Sequence, residues 1–543
     1  MINVFRCIYI LGGLFSYCVF PSSFLVPLNH RAYDFFERVQ AKRILPLKNL
    51  SSKPLIHSQA IDWLMAIDSL QKLSPELLTP YEKKTFRELM IEWKTEIDKR
   101  TDSDSLPHKY LFYWQDSLER NEILLDVFVN IQGSLEDSTA PDPLEKLLHL
   151  NYGGVVQGTL QNSLKFYVHP MIFATKSNYN RFGNNYIPEN GIPRNANKDS
   201  TETTWDISEH YLAFTVPWFH IFIGKQKLEW GPASHNQLTL SSAVPAFDLI
   251  HFSVNWDRLQ FRNFTGILRS RFKEKYIAGH RLDITWGKKF EIGIYELIIF
   301  GNRFVLAYNF PLVPLFIEEH YQGDKDNKAL GLDFNLKVWK GISFFAGLYL
   351  DDFFHPLEIF SNRWGNKFAG ILGLRCYDQF LPNSEFLLEY ARIEPWVYTH
   401  RDTINRYLHF DKIIGNQNGP NSDDFFTQLK YNPFWKLTLQ LSFENIRKSA
   451  AYGMMGRLAS GNINGTNFDK DGFGGYYVLD EHKYFLKDMI QTTRHLNFRL
   501  IYEITRIFST YGNYRYTHIQ NHLEQEGVNK TDNELILGMS LSW

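Results

Sequence analysis

The stretch from Glu534 to Trp543 constrains this chain more than any other. Leu535, Leu537, Met539, Leu541 and Trp543 alternate with Glu534, Gly538, Ser540 and Ser542. A period of two puts the two sets on opposite faces of a strand, one apolar, the other polar or small. Such a strand, closing on an aromatic, is what a transmembrane β-barrel needs. The last strand pairs with the first, and the aromatic lies in an interfacial girdle.

Composition agrees with that expectation. The chain has 543 residues, 44 Phe and 29 Tyr, and its mean hydropathy of -0.30 is low for a helical membrane protein. In a barrel only half of each strand faces lipid, so the average stays low. The net charge is -1 and no basic run stands out, which gives no footing for a nucleic-acid partner. At the N-terminus, Arg6 followed by the apolar run Cys7 to Phe20 reads as a secretory signal spanning residues 1–23, with cleavage near Ser22 or Ser23. Tyr17 is too bulky before Cys18 for a lipoprotein signal. Of three cysteines, Cys7 and Cys18 leave with the signal, so Cys376 stands alone and no internal disulfide is expected.

Residues 24–120 read as a helical periplasmic region. Asn29 and Ser58 are candidate caps, and Thr79-Pro80 combines a capping hydroxyl with Pro at the first helical position. From residue 121 to 543 the period becomes two. Leu330, Leu332, Phe334, Leu336 and Val338 alternate with Ala329, Gly331, Asp333, Asn335 and Lys337, and similar runs recur around 437–443 and 496–503. Each is about nine to eleven residues, enough to cross the hydrocarbon when tilted. About eighteen such strands are expected. Their connections alternate between tight ones (161–163, 217–218, 262–263, 287–289, 339–341, 431–433) and long ones (179–202, 230–248, 301–326, 353–367, 395–422, 448–488, 520–532). The fold class is therefore an all-β membrane barrel of antiparallel strands, preceded by a small α-helical region, in the bacterial outer membrane. An even strand count puts both barrel ends, and the helical region, on the periplasmic side.

Three stretches resemble the capsule-assembly Wzi family of outer-membrane barrels: NHRAYDFFERVQAKRILP from Asn29, KQKLEWGPASHNQLTLSSAVPAF from Lys225 to Phe247, and GHRLDITWGKKFEIGIYELIIFGNR from Gly279 to Arg303. Their order and spacing carry the likeness. The chain departs where the family's loop has a further Gly after Trp-Gly-Pro; here Ala233 and Ser234 follow. The resemblance implies an outer-membrane lectin holding capsular or other exported polysaccharide, without catalysis or cofactor.

The residues themselves give little support to an enzyme. None of the 18 His makes an HExxH-like spacing, and no nucleophile elbow or P-loop is present. Glu318-Glu319 and Asp351-Asp352 are adjacent, so on a strand each pair would point to opposite faces. Neither catalytic residues nor a metal site are expected. Sugar recognition asks for aromatic faces, amides, carboxylates and, for acidic sugars, Arg or Lys. Glu229, Trp230, His235, Asn236 and Gln237 are expected to cluster at the outer mouth, with Arg363 and Trp364 in another outer loop. The longest loop, 448–488, adds Arg457, Asn462, Asn464, Tyr476 and Tyr477. Expected partners are exported polysaccharide, outer-membrane lipid and, through the terminal strand, the barrel assembly machinery, with the protein a monomer. A porin or solute channel on the same architecture is the alternative, and a passive barrel whose helices dock periplasmic partners is a third.

Overall fold

The computed structural model describes residues 24–543 except 47, 102–109, 119, 139–143, 179–181, 185–194, 270–273, 354, 364, 401, 411, 450–482 and 488. The expected signal segment and most of the 448–488 loop thus lie outside the described residues, as does Trp364.

Eighteen antiparallel strands close into one barrel. They are β1 (Glu122–Ser138), β2 (Glu145–Leu160), β3 (Leu164–Ser177), β4 (Glu202–Val216), β5 (Phe219–Gln226), β6 (Phe247–Trp256), β7 (Leu259–Leu268), β8 (Lys275–Trp286) and β9 (Phe290–Gly301). The second half comprises β10 (Asn327–Trp339), β11 (Ile342–Asp352), β12 (Lys367–Tyr377), β13 (Ser384–Ile393), β14 (Ser422–Phe434), β15 (Leu437–Ser449), β16 (Ile490–Glu503), β17 (Phe508–Gln520) and β18 (Lys530–Ser542). Closure runs between β18 and β1, from Asp532 opposite Ser138 to Ser542 opposite Phe128. Where β18 ends, the short strand Phe112–Gln115 takes up pairing with Leu125 to Glu122 of β1. These four residues form a strand inside a stretch expected to be helical.

Alternation along β10 shows how the pattern is used. Asp333, Asn335 and Lys337 point inward and are buried, whereas Leu330, Leu332 and Phe334 point outward and are not. Water-seeking side chains are enclosed and apolar ones exposed, the reverse of a soluble sandwich and the arrangement lipid demands. Trp218, Trp256, Trp286, Trp339 and Trp435 each stand exposed at or beside a tight turn, and Trp543 joins them after β18. This ring of indoles marks one membrane interface, on the side of the short connections.

Two expected turns are corrected. Arg262-Asn263 lies inside β7; the chain reverses at Asp257-Arg258, where Asp257 adopts a left-handed φ of 50°. Arg262 is instead a buried lumenal side chain that donates to the Pro54 carbonyl at 3.4 Å. Tyr431-Asn432-Pro433 is a register break within β14, and Trp435-Lys436 make the turn.

Among the described residues, four helices precede the barrel: α1 (Ala32–Ala41), α2 (His57–Leu73), α3 (Pro80–Glu92) and α4 (Lys94–Thr101). Thr79 caps α3 in a reciprocal box with Glu82, as Thr-Pro spacing suggests. The other expected caps are displaced. His30 Nδ1, not Asn29, accepts from Ala32 N at 3.2 Å. Helix α2 starts at His57, before Ser58, because Leu25 bridges Ile56 and fixes the preceding residues as extended. Phe36, Val39, Ile61, Leu64, Phe86 and Leu89 form a core private to these helices. The region closes the tight-turn mouth. Arg38 donates to Asp378 Oδ1 at 2.7 Å and Arg43 to the Val338 carbonyl at 2.8 Å.

Candidate functional site

The 227–246 connection turns into the barrel rather than out of it. Glu229 and Trp230 pair as a two-residue sheet with Lys53 and Ser52, which enter from the helical end. Trp230 is fully buried, edge-on to Phe264 at 5.2 Å. The 394–421 connection follows it inward: Tyr398 Oη donates to the Leu238 carbonyl at 2.6 Å, and Tyr407 Oη to that of Thr239 at 2.8 Å. Loop residues Trp230, Leu238, Tyr398 and Tyr407 share one apolar core with wall residues Phe264 and Tyr295. Each such side chain taken from water contributes about 1.5–3 kcal/mol, so the plug is a packed structure. Gly331 makes room for this packing, because a Cβ there would stand 2.0 Å from the Tyr295 ring.

The packed plug occupies one side of the lumen. Across from it, Arg499 and Arg515 point inward by strand parity yet remain exposed, and Arg515 reaches Glu534 at 3.4 Å. That side of the barrel is wet. His235 stands at the boundary. Its ring stacks on Phe426 at a centroid separation of 3.9 Å, and its Nε2 lies 2.6 Å from Glu444 Oε1. Burial works against charge on this imidazole, but the Glu444 hydrogen bond and charge, with Glu389 and Asp424, raise its pKa above the ordinary value. Glu389 accepts from three successive backbone N–H groups, those of Ser234, His235 and Asn236, and so fixes the loop around the ring.

The expected sugar-binding cluster therefore does not form an open platform at the outer mouth. Glu229 is buried and takes a 2.6 Å hydrogen bond from Lys53. Asn236 is buried, its Oδ1 accepting from Asn416 Nδ2 at 2.8 Å. Gln237 Nε2 donates to the Gly231 carbonyl at 3.1 Å and the Ala233 carbonyl at 2.5 Å. Gly231 is required here: it holds φ 128°, and a Cβ would meet Gln237 Oε1 at 2.2 Å. Only His235 of this cluster keeps a side chain more than a third exposed. Arg363 is far off in sequence and exposed, paired with Glu358 at 3.2 Å.

A different feature opens at the long-loop end. Strand β5 pairs β4 only over His210–Val216, so among the described residues β4 runs on past its partner from Glu202 to Glu209. The notch holds a cleft of about 200 Å³ lined by Lys225, Lys227, Asp248, Arg269, His409 and Phe410. Lys227 donates to the Ser242 carbonyl at 3.0 Å; burial lowers its pKa, with Glu209 opposing. His409 is held neutral: burial, then the Lys275 charge, push it down to about 3. Three basic side chains, the carboxylates of Asp206, Glu209 and Asp248, and the rings of Phe247 and Phe410 in one cleft are groups that recognise sugar hydroxyls and flat sugar faces. Sequence reading missed it because its residues come from four separate connections and strand ends.

No family model and no curated protein matches the chain in sequence. Among solved structures, it is similar to one described as Wzi, an outer membrane protein involved in group 1 capsule assembly in Escherichia coli and a carbohydrate-binding β-barrel. The identity is 10%, the TM-score 0.57, and the match covers 95% of this chain and 99% of that one. OccAB2 of Acinetobacter baumannii matches at 10% identity and TM-score 0.44, over 77% of this chain and 98% of its own. OccK7 of Pseudomonas aeruginosa matches at 10% identity and TM-score 0.41, over 77% and 99%. The eighteen-stranded closure, the lipid-facing band and the indole ring make this chain a barrel of the bacterial outer membrane, and its fold is that of Wzi.

Proposed function

We propose that the protein is a lectin of the outer membrane that holds capsular or other exported polysaccharide at the cell surface. The observation that carries this reading is the packed plug. A lumen in which Trp230, Tyr398 and Tyr407 share a core with the wall is poorly suited to a wide solute path. It leaves recognition to the long-loop end, where the Lys225–Lys227–Arg269–Phe410 cleft offers suitable groups. The fold likeness to a carbohydrate-binding barrel points the same way. In this reading Glu229, Trp230, Asn236 and Gln237 shape the loop from beneath, while His235 and Arg363 are, among the described residues, the accessible members of the expected set.

The test is surface retention. Cells expressing the Lys227→Ala, Arg269→Ala, Phe410→Ala combination should release polysaccharide into the medium while the barrel still runs as a compact, heat-modifiable band. Each contact contributes roughly 0.5–1.5 kcal/mol, so long polymer should be held by many barrels at once and short oligosaccharides weakly. Normal retention by the triple variant would sink the reading. The wet strip bearing Arg499 and Arg515 favours a second one, a narrow anion-preferring channel beside the plug. A steady, anion-selective current in planar bilayers would support that instead.

A further inference from the structure

Two groups of side chains among the described residues have the make-up of cation ligands: Glu319, His320 and Asp324, and His235, Asp424 and Glu444. The first already holds a cation. Lys328 Nζ lies 2.7 Å from Glu319 and 3.5 Å from Asp324. The second has none. Among the described residues no Lys or Arg forms an ion pair with Asp424 or Glu444; their ion-pair partner is His235, 3.7 Å from Asp424 Oδ2 and 2.6 Å from Glu444 Oε1.

We propose that His235, Asp424 and Glu444 form a divalent transition-metal site, of the kind that takes Zn2+, which fastens the inward loop to β14 and β15. Four observations support it. The donor atoms of the three residues lie within 4.8 Å of one another. A metal ion bound tetrahedrally at about 2.0–2.2 Å to each would place them about 3.3–3.6 Å apart, between the 2.6 and 3.7 Å at which His235 meets the two carboxylates. Asp424 is 1% exposed, and its Oδ1 is buried without a hydrogen-bond partner. A carboxylate oxygen left so is costly, and a cation removes the cost. The ring is held in place, stacked on Phe426 on one side while Glu389 fixes the loop backbone. Asn418 Nδ2, at 3.2 Å from Asp424 Oδ2, supplies the outer support that ligating carboxylates usually have.

Negative charge also gathers here. Glu389, Asp424 and Glu444 converge on this point, with His235 and the more distant His495 as the facing bases. One imidazole with two carboxylates suits Zn2+ or Mn2+ better than Ca2+ or Mg2+, which favour oxygen alone. Because the His235 side chain is 37% exposed toward the wet half of the lumen, the remaining coordination positions can be filled by water or a ligand oxygen. The motif escapes sequence reading because its donors come from a loop and two strands, with no short spacing between them.

The experiment uses the full chain in detergent, stripped with EDTA and dialysed against Zn2+, with bound metal measured by mass spectrometry. One ion per chain is expected, with a rise in the unfolding temperature. His235→Asn and Glu444→Gln should each weaken binding at least about tenfold while keeping the compact unboiled band. His320→Ala should bind as the parent does. Co2+ should give d–d absorption typical of nitrogen and oxygen ligands in the parent but not in His235→Asn. The proposal is overturned if the parent binds no more metal than His235→Asn, which would mean a protonated imidazole alone serves the carboxylates. It is equally overturned if binding survives both variants or disappears with His320→Ala.

Discussion

Lys53 and Glu229 meet inside the barrel, Nζ to Oε1 at 2.6 Å, one from the helical end and the other from a connection that begins at the opposite end. Each is less than one-sixth exposed. The ammonium also lies 5.1 Å from the Tyr33 ring centroid of α1. Burial opposes the charge on Lys53, and Glu229 together with the Glu37 charge more than restores it, so its pKa stands above the ordinary value. This pair is where the helical region and the inward loop become one unit. Lys53→Ala should leave a buried carboxylate without its counter-charge, at a cost of about 3–5 kcal/mol. Hydrogen exchange should rise in both Ser52–Pro54 and 227–246, and Glu229→Gln added to Lys53→Ala should cost less than the two changes summed. Faster exchange confined to one segment would show that the two are not coupled.

The loops hold each other by few polar bonds. Tyr398 and Tyr407 each donate to a carbonyl of the 227–246 loop. Tyr398 Oη also accepts from Asn416 N at 3.3 Å, so replacing both by Phe removes three bonds of about 0.5–1.5 kcal/mol net and strands two buried carbonyls and one N–H at about 1–3 kcal/mol each. The parent should pass little steady current in planar bilayers, and Tyr398→Phe with Tyr407→Phe should add transient openings. A large constant ohmic current in the parent would count against the plug as a seal.

Docking of the helices should depend on acid. Burial raises the Asp378 pKa, but Arg38 and Lys42 overcome it and hold it below its ordinary 3.8. Glu88 is likewise below its ordinary 4.5 despite burial, through Lys84 and Arg506. A depressed carboxylate stabilises the docked state above its ordinary value, and that contribution fades as pH falls through the lower, docked value. Protease should therefore gain access to α1 and α3 at pH below about 4 while the barrel stays heat-modifiable. Asp378→Asn should expose the helices at neutral pH as well. Protection that is flat from pH 7 to 3 would contradict this account.

How much of this was legible in the sequence follows from where each constraint lies. Alternation in β10 is local: Asp333 faces inward because Leu332 and Phe334 must face lipid, and three residues suffice to say so. The Thr79-Pro80 start of α3 is local as well. Turn position is less so, since the reversal at Asp257 depends on one residue taking a left-handed φ. The direction of a long connection is not local at all. Nothing near Trp230 announces Phe264 or Tyr295, and nothing near His235 announces Glu444 or Phe426. An aromatic beside Gly-Pro reads equally as an exposed platform and as a buried anchor until the wall strands are placed around it.

The closing strand gives the last prediction. Leu541 faces lipid opposite Val129, and Trp543 N donates to the Val127 carbonyl at 3.0 Å, the final rung of the seam. Replacing Leu541 and Trp543 by Ser removes lipid-facing apolar area of about 1.5–3 kcal/mol for the leucine alone. It also weakens the seam between the last and first strands that closes the barrel. A seam left open exposes backbone donors and acceptors to hydrocarbon, each costing several kcal/mol. The folded, heat-modifiable fraction should fall sharply. Leu357 and Phe360 are as apolar and more exposed, but they lie in the 353–366 connection, where water can satisfy the backbone. Leu357→Ser with Phe360→Ser should assemble like the parent. Equal folded yields from the two double variants would show that assembly does not depend on the closing strand's apolar face.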